Sequence, residues 1–136
     1  MTGAASSTVA PSRIGDAFTA ARAEGRSLLM PYTPAGFPDL PISEDVILNL
    51  VAGGADIIEI GVPFSDPLAD GATVQRASQV ALGHGVRLVD CLDLVDRLRH
   101  QHGVTIPLLL MGYYNPILQY GVEKFAEDAA RVGVDG

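Results

Sequence analysis

Glu59 is a carboxylate in the middle of an apolar run. It lies in ADIIEIGV (residues 55–62), between Ile57, Ile58, Ile60 and Gly61. Side chains alternate along a strand, so Ile58, Ile60 and Val62 share one face and Ile57, Glu59 and Gly61 the other. If the first set meets helices, the second points into the interior of a parallel sheet or barrel. A buried charge costs several kcal/mol unless it is paired. A carboxyl group at the C-terminal end of such a strand stands where barrel enzymes keep their catalytic groups, and burial there makes it a usable acid and base. The alternative is a Glu59 that faces outward or joins a structural ion pair. None of the three apolar runs that read as strands contains a basic residue, which favours the first reading.

Asp70 precedes Gly71 and a helical pattern. Its local reading is a helix N-cap, which would still leave one carboxylate oxygen for a ligand. Asp66-Pro67 reads first as a turn. The three histidines offer no metal site: His100 and His102 are two apart and do not face one ligand, and His84 reads as a solvated loop residue. Cys91 falls on an apolar helical position with no base near it in sequence, so it reads as core and not as a nucleophile.

The elements that must position these groups alternate. Ser12 caps a short helix with Ile14, Ala17, Phe18 and Ala21 on one face, ended by Gly25. Residues 27–32 (SLLMPY) form a first strand, broken by Pro34, Gly36 and Pro38. Ser43 opens a helix with Glu44 and Asp45 in its first turn, an inner stripe of Val46, Ile47, Leu50 and Val51, and a stop at Gly53-Gly54. Residues 55–62 are the second strand. Helices are expected over 72–82 and 88–100, the latter with Leu88, Cys91, Leu92, Val95 and Leu98 at helical spacing. Residues 106–113 (IPLLLMGY) are a third strand, broken by Asn115-Pro116. A helix over 122–131 turns Phe125, Ala126 and Ala129 inward and ends at Gly133, and Val134 starts a fourth strand. Strand–helix alternation with near-continuous apolar strands implies an α/β fold around a parallel sheet covered on both faces.

The chain has 136 residues, enough for one domain, and no linker divides it; residues 1–11 read as a disordered arm. Nine basic against sixteen acidic residues give a net charge of −7, with no basic run, which disfavours nucleic acid and anionic membranes as partners. One cysteine excludes an internal disulfide framework. No apolar run approaches a membrane span, and the first residues lack the pattern of a secretory signal, so a cytoplasmic address is expected. A domain rarely stops inside a strand, so the sequence is expected to be a cut-off piece, about half of the roughly 250 residues that a closed eight-stranded barrel needs.

The stretch IEIGVPFSDPLADGATVQ closely resembles the signature of the tryptophan synthase alpha chain family, and PYTPAGFPD and LLLMGYYNPIL resemble its flanking segments. Pro34 is a small departure that should stiffen the first exit loop. The resemblance implies a (β/α)8 TIM barrel, of which this chain holds the N-terminal half: about three βα units and the start of a fourth strand. It implies a lyase that cleaves indole-3-glycerol phosphate to indole and glyceraldehyde 3-phosphate by a retro-aldol reaction. Glu59 and Asp70 match the family's catalytic carboxylates. Tyr32, Met111 and Tyr113 fall at substrate-lining positions, with barrel core as the alternative for each. Asp66, Pro67, Asn115 and Pro116 match regions that contact the beta chain, the expected partner in an alpha2beta2 complex. No cofactor is expected in this chain, because pyridoxal phosphate belongs to the beta chain in that family. The phosphate cradle of such barrels follows the late strands, so the 136 residues are expected to carry the acid–base pair without a complete site. Two rival readings are an inactive half-barrel that only binds the beta chain, and another barrel lyase or isomerase acting on a sugar phosphate.

Overall fold

In a computed structural model that describes residues 12–136, three short strands form one parallel sheet in the order β1-β2-β3. The expectation for residues 1–11 lies outside the described residues. Helix α1 (Arg13–Ala23) starts where Ser12 accepts the Gly15 N–H at 3.3 Å. Ala21 is its buried residue, whereas Phe18, expected inward, is 53% exposed. Strand β1 (Tyr32–Pro34) begins later than expected. Residues 27–31 already run beside the second strand, with Leu29 and Pro31 carbonyls accepting the Asp56 and Glu59 N–H groups. Pro31 brings no N–H, so the regular ladder starts only at Tyr32. Pro34 closes the strand instead of breaking it, which an edge strand tolerates.

Helix α2 (Leu40–Ala52) also departs from expectation. Its cap is Asp39, whose carboxylate accepts the Ile42 N–H at 2.8 Å, with Pro41 in the first turn. Ser43 lies inside the helix, fully buried, accepting the Gly36 N–H and donating to the Leu40 carbonyl. It takes the buried place one turn before Ile47, which leaves Val46 on an exposed flank.

Strand β2 (Ile58–Gly61) pairs in parallel with β1 and with β3 (Leu108–Met111). Helices α3 (Ala72–Gly83) and α4 (Leu88–His100) follow β2. The spacing in α4 is realised in full: Leu88, Cys91, Leu92, Leu94, Val95 and Leu98 are all buried, and from Cys91 on they join Ile58, Ile60 and Leu108 in the core. The side of the sheet that carries Ile58 and Ile60 is closed by helices. The opposite side is only half-buried, so the expectation of a sheet covered on both faces does not hold among the described residues.

β3 ends at Met111, ahead of Asn115-Pro116, and that pair lies in the first turn of a short helix, α5 (Tyr114–Tyr120), which the sequence reading does not contain. Proline is harmless there because the N–H it lacks has no intrahelical partner anyway. Helix α6 (Val122–Val132) ends at Gly133 in the left-handed conformation, φ 89°, as its sequence predicts. Phe125 and Ala129 turn toward the core, while Ala126 is exposed. The expected strand start beyond Val134 is present as backbone pairing alone: Asp135 donates to the Leu108 carbonyl and the Gly136 carbonyl accepts from Leu110, each at 2.9 Å.

That pairing is held by a buried Arg99–Asp135 pair with an exposed Arg13 beside it. Asp135 pairs with Arg99, accepts the Leu108 N–H at 2.9 Å and meets Arg13 at 2.8 Å. Arg99 also donates to the carbonyls of Val104, Ile106 and Gly133. Burial pushes the Arg99 guanidinium below its usual pKa, and the Asp135 charge opposes that shift. Among the described residues no helix is long and apolar enough to cross a membrane.

Candidate active site

Parallel register places side chains in rows across the sheet. Tyr32 stands beside Glu59, and Glu59 beside Leu109, so the three share one face. The next row toward the strand C-termini holds Pro34, Gly61 and Met111. Glu59 therefore lies on the face away from the helices, near the end of its strand, as the alternation of β2 implies. It is half-buried, and its carboxylate has no hydrogen bond or ion pair among the described residues. The ion-pair alternative thus finds no partner.

Gly61 is required by close approach. A Cβ at that position would overlap the Tyr32 hydroxyl and ring, so the phenol lies over the backbone two residues beyond Glu59. Burial raises the pKa of this phenol, and the negative charges of Asp70 and Glu59 raise it further. Tyr32 thus feels both acidic groups and stays a neutral hydroxyl.

Asp70 sits at the end of the loop that follows β2. The expectation that it caps α3 is not met. The cap residue is Gly71, with no side-chain cap, because the turn over 67–70 spends the Asp70 N–H on the Pro67 carbonyl at 3.0 Å and starts the helix one residue later. The Asp70 carboxylate is left with no hydrogen-bond partner among the described residues.

Met111 is 37% exposed on the Glu59 side of the sheet. Tyr113 is half-buried, and its ring packs on Phe64 with centroids 5.1 Å apart, while its hydroxyl accepts the Ala69 N–H at 2.8 Å. Of the four expected partner-side residues, Asn115 and Pro116 line a cleft of about 500 Å³ together with Phe64 and Ser65, between the exits of β2 and β3. Asp66 is exposed and accepts the Ser65 hydroxyl at 2.6 Å, and Pro67 is buried under the loop.

Sequence reasoning gave no role to Phe64, Gly61 or Gln75. Each lies within IEIGVPFSDPLADGATVQ, so its presence in that stretch was the available signal. An apolar cavity of about 430 Å³ lies behind β3 among Leu110, Ile117, Phe125 and Val134, away from Glu59. Cys91 is fully buried and its thiol is pushed up to about 12 by burial, which makes it core. His102 pairs with Glu44 and His100 with Asp96, and no group of three metal-ligating side chains is found among the described residues.

The family description "Tryptophan synthase alpha chain" matches residues 18–136. The tryptophan synthase alpha chain of Roseiflexus sp. (strain RS-1) is 53% identical over 125 residues, covering 92% of this chain and 48% of that relative. Among solved structures, tryptophan synthase subunit alpha from Legionella pneumophila str. Paris superposes with a TM-score of 0.90 at 40% identity, over 93% of this chain and 48% of that one. An aminoacrylate-bound tryptophan synthase from M. tuberculosis gives a TM-score of 0.84 at 44% identity, over 91% of this chain and 49% of that one. The chain spans about half the length of the curated relatives it matches.

Proposed function

The chain belongs to the tryptophan synthase alpha chain family, and from that premise we propose that Glu59 and Asp70 are the acid–base pair of a carbon–carbon lyase that cleaves indole-3-glycerol phosphate. The observation that supports this reading is a pair of carboxylates without partners among the described residues: Glu59 neighbours Tyr32 in the sheet, and the phenol, raised in pKa first by burial, also feels the charges of Asp70 and Glu59.

The chemistry needs two proton movements. Glu59 in its acid form delivers a proton to indole C3, which places positive charge on the ring. Asp70, ionised beside the ring N–H, accepts its hydrogen bond and stabilises that charge. The carboxylate left on Glu59 then takes the proton of the glyceryl hydroxyl next to the scissile bond. The oxygen becomes the carbonyl of glyceraldehyde 3-phosphate, the bonding pair returns to C3, and neutral indole leaves. One acid that gives and regains a proton closes the cycle without another reagent. Two carboxylates with different roles in one site are a recurrent division of labour. Tyr32 and Met111 would line the ring pocket. The loops that hold phosphate in such barrels belong to the half of the relatives that this chain does not span.

We further propose the beta chain as partner, docking at the cleft of Phe64, Ser65, Asn115 and Pro116 and receiving the indole, with any pyridoxal phosphate on its side and the complex in the cytoplasm. The test is Glu59→Gln and Asp70→Asn in a polypeptide of the relatives' full length, assayed for indole release from indole-3-glycerol phosphate. Both should lose cleavage while keeping a folded circular-dichroism spectrum. Normal turnover in Glu59→Gln would remove it from the mechanism.

A further inference from the structure

The Asp70 backbone is held from several sides while its carboxylate is held by none. Its N–H donates to the Pro67 carbonyl at 3.0 Å. Its carbonyl accepts the Gln75 side-chain amide at 2.9 Å, and the same amide reaches the Pro67 carbonyl at 3.3 Å. The preceding peptide is fixed by Tyr113, whose hydroxyl accepts the Ala69 N–H at 2.8 Å across 44 residues of sequence. Between them Leu68 points into solvent, 90% exposed, so the loop has no apolar anchor at that point. Pro67 packs the start of the turn, and hydrogen bonds fix the stretch from Leu68 to Asp70.

Tyr113 is suited to this task. It stands at the exit of β3, and β3 is tied to the end of β2 by the Val62 N–H on the Met111 carbonyl at 2.8 Å. Its ring is braced on Phe64, which belongs to the same loop as Asp70. Loop and brace therefore move as one piece with the two strands. Gln75 does the same from the first turns of α3. A carboxylate meant to meet a developing charge must be placed within a fraction of an ångström without being consumed by its support. Holding the peptides on either side of the side chain meets both demands.

We propose that Tyr113 and Gln75 are positioning residues that clamp the Ala69–Asp70 peptides and so set where the free Asp70 carboxylate stands. The proposal rests on the proposed role of Asp70. It gives Tyr113 a task other than lining the substrate pocket: its hydroxyl acts through the protein.

The test uses the full-length enzyme and the variants Tyr113→Phe and Gln75→Leu. Tyr113→Phe keeps the ring on Phe64 and removes only the acceptor. The expected result is a roughly tenfold fall in kcat, the worth of one hydrogen bond, with KM unchanged and the Ala69 amide exchanging its hydrogen faster. Gln75→Leu should act in the same direction. In an Asp70→Asn background, Tyr113→Phe should have no further effect on kcat, because nothing is left to position. A rise in KM at constant kcat would make Tyr113 a substrate contact and overturn the proposal. So would wild-type kcat with unchanged amide exchange in an enzyme that Asp70→Asn inactivates. Full activity in Asp70→Asn itself would instead sink the role of Asp70, a separate failure read from a separate variant.

Discussion

Two carboxylates, Asp135 and Glu59, show how differently one fold treats the same chemical group. Asp135 sits beside the start of β3, 9% exposed, with Arg99, Arg13 and the Leu108 N–H around it. Glu59 sits in the neighbouring strand with no partner among the described residues. Burying a charge is tolerated when every oxygen is answered, as at Asp135. At Glu59 the protein leaves the carboxylate without a partner on the half-buried face of the sheet, with Tyr32 lying over Gly61 beside it. The first arrangement holds strands in register; the second is available to a substrate. Asp70 follows the second pattern, with its backbone satisfied and its side chain free.

The comparison breaks most readily at Asp135. Asp135→Ala strands the Arg99 guanidinium in the interior and should destabilise by about 3–5 kcal/mol, measured by urea denaturation. Loss below about 1 kcal/mol would mean that the cluster is decoration. Glu59→Gln should stay within about 0.5 kcal/mol of the parent, since it removes no protein contact. Gly61→Ala is expected to be intermediate. Its methyl group must displace the Tyr32 ring, an overpacking of about 1–3 kcal/mol, and activity should fall with it. Retained stability with lost activity would show that Tyr32 had moved beside Glu59 without loss of packing.

The smallest effect should be a pH dependence. The Arg26 guanidinium, and then the Leu29 N–H, hold the Asp56 carboxyl down at about 2. Its unfolded value is about 3.9. The contribution is therefore complete above about pH 4 and lost as pH falls toward 2. Thermal midpoints should drop across that window, and Arg26→Ala should flatten the slope.

Much of the fold was legible because it rests on local pattern. The spacing in α4 placed its buried side chains correctly, and Gly133 marked the end of α6. The alternation around Glu59 named the correct face of β2. The errors came where a boundary depends on a distant partner or on competing caps. Asp39 with Pro41 outcompetes Ser43 as a helix start, and the ladder of β1 begins only where N–H groups meet β2. The short helix around Pro116 was missed because the first turn of a helix and a loop share the same signal. The cap expected of Asp70 failed because the turn over 67–70 uses its N–H for Pro67. No local signal links Tyr113 to Ala69 or Arg99 to Asp135, since those bonds join segments that meet only after the sheet forms. The candidate carboxylates came from resemblance together with alternation, while the groups that fix them came from geometry alone.

The most direct measurement reads stability and turnover on one sample of full-length Glu59→Gln. The expected result is an unchanged denaturation midpoint with indole release reduced by about 10²–10⁴-fold, the range of a lost general acid–base group. Turnover within about twofold of the parent, or a collapse of the midpoint, would contradict the account: the first would make Glu59 a bystander, the second a structural residue.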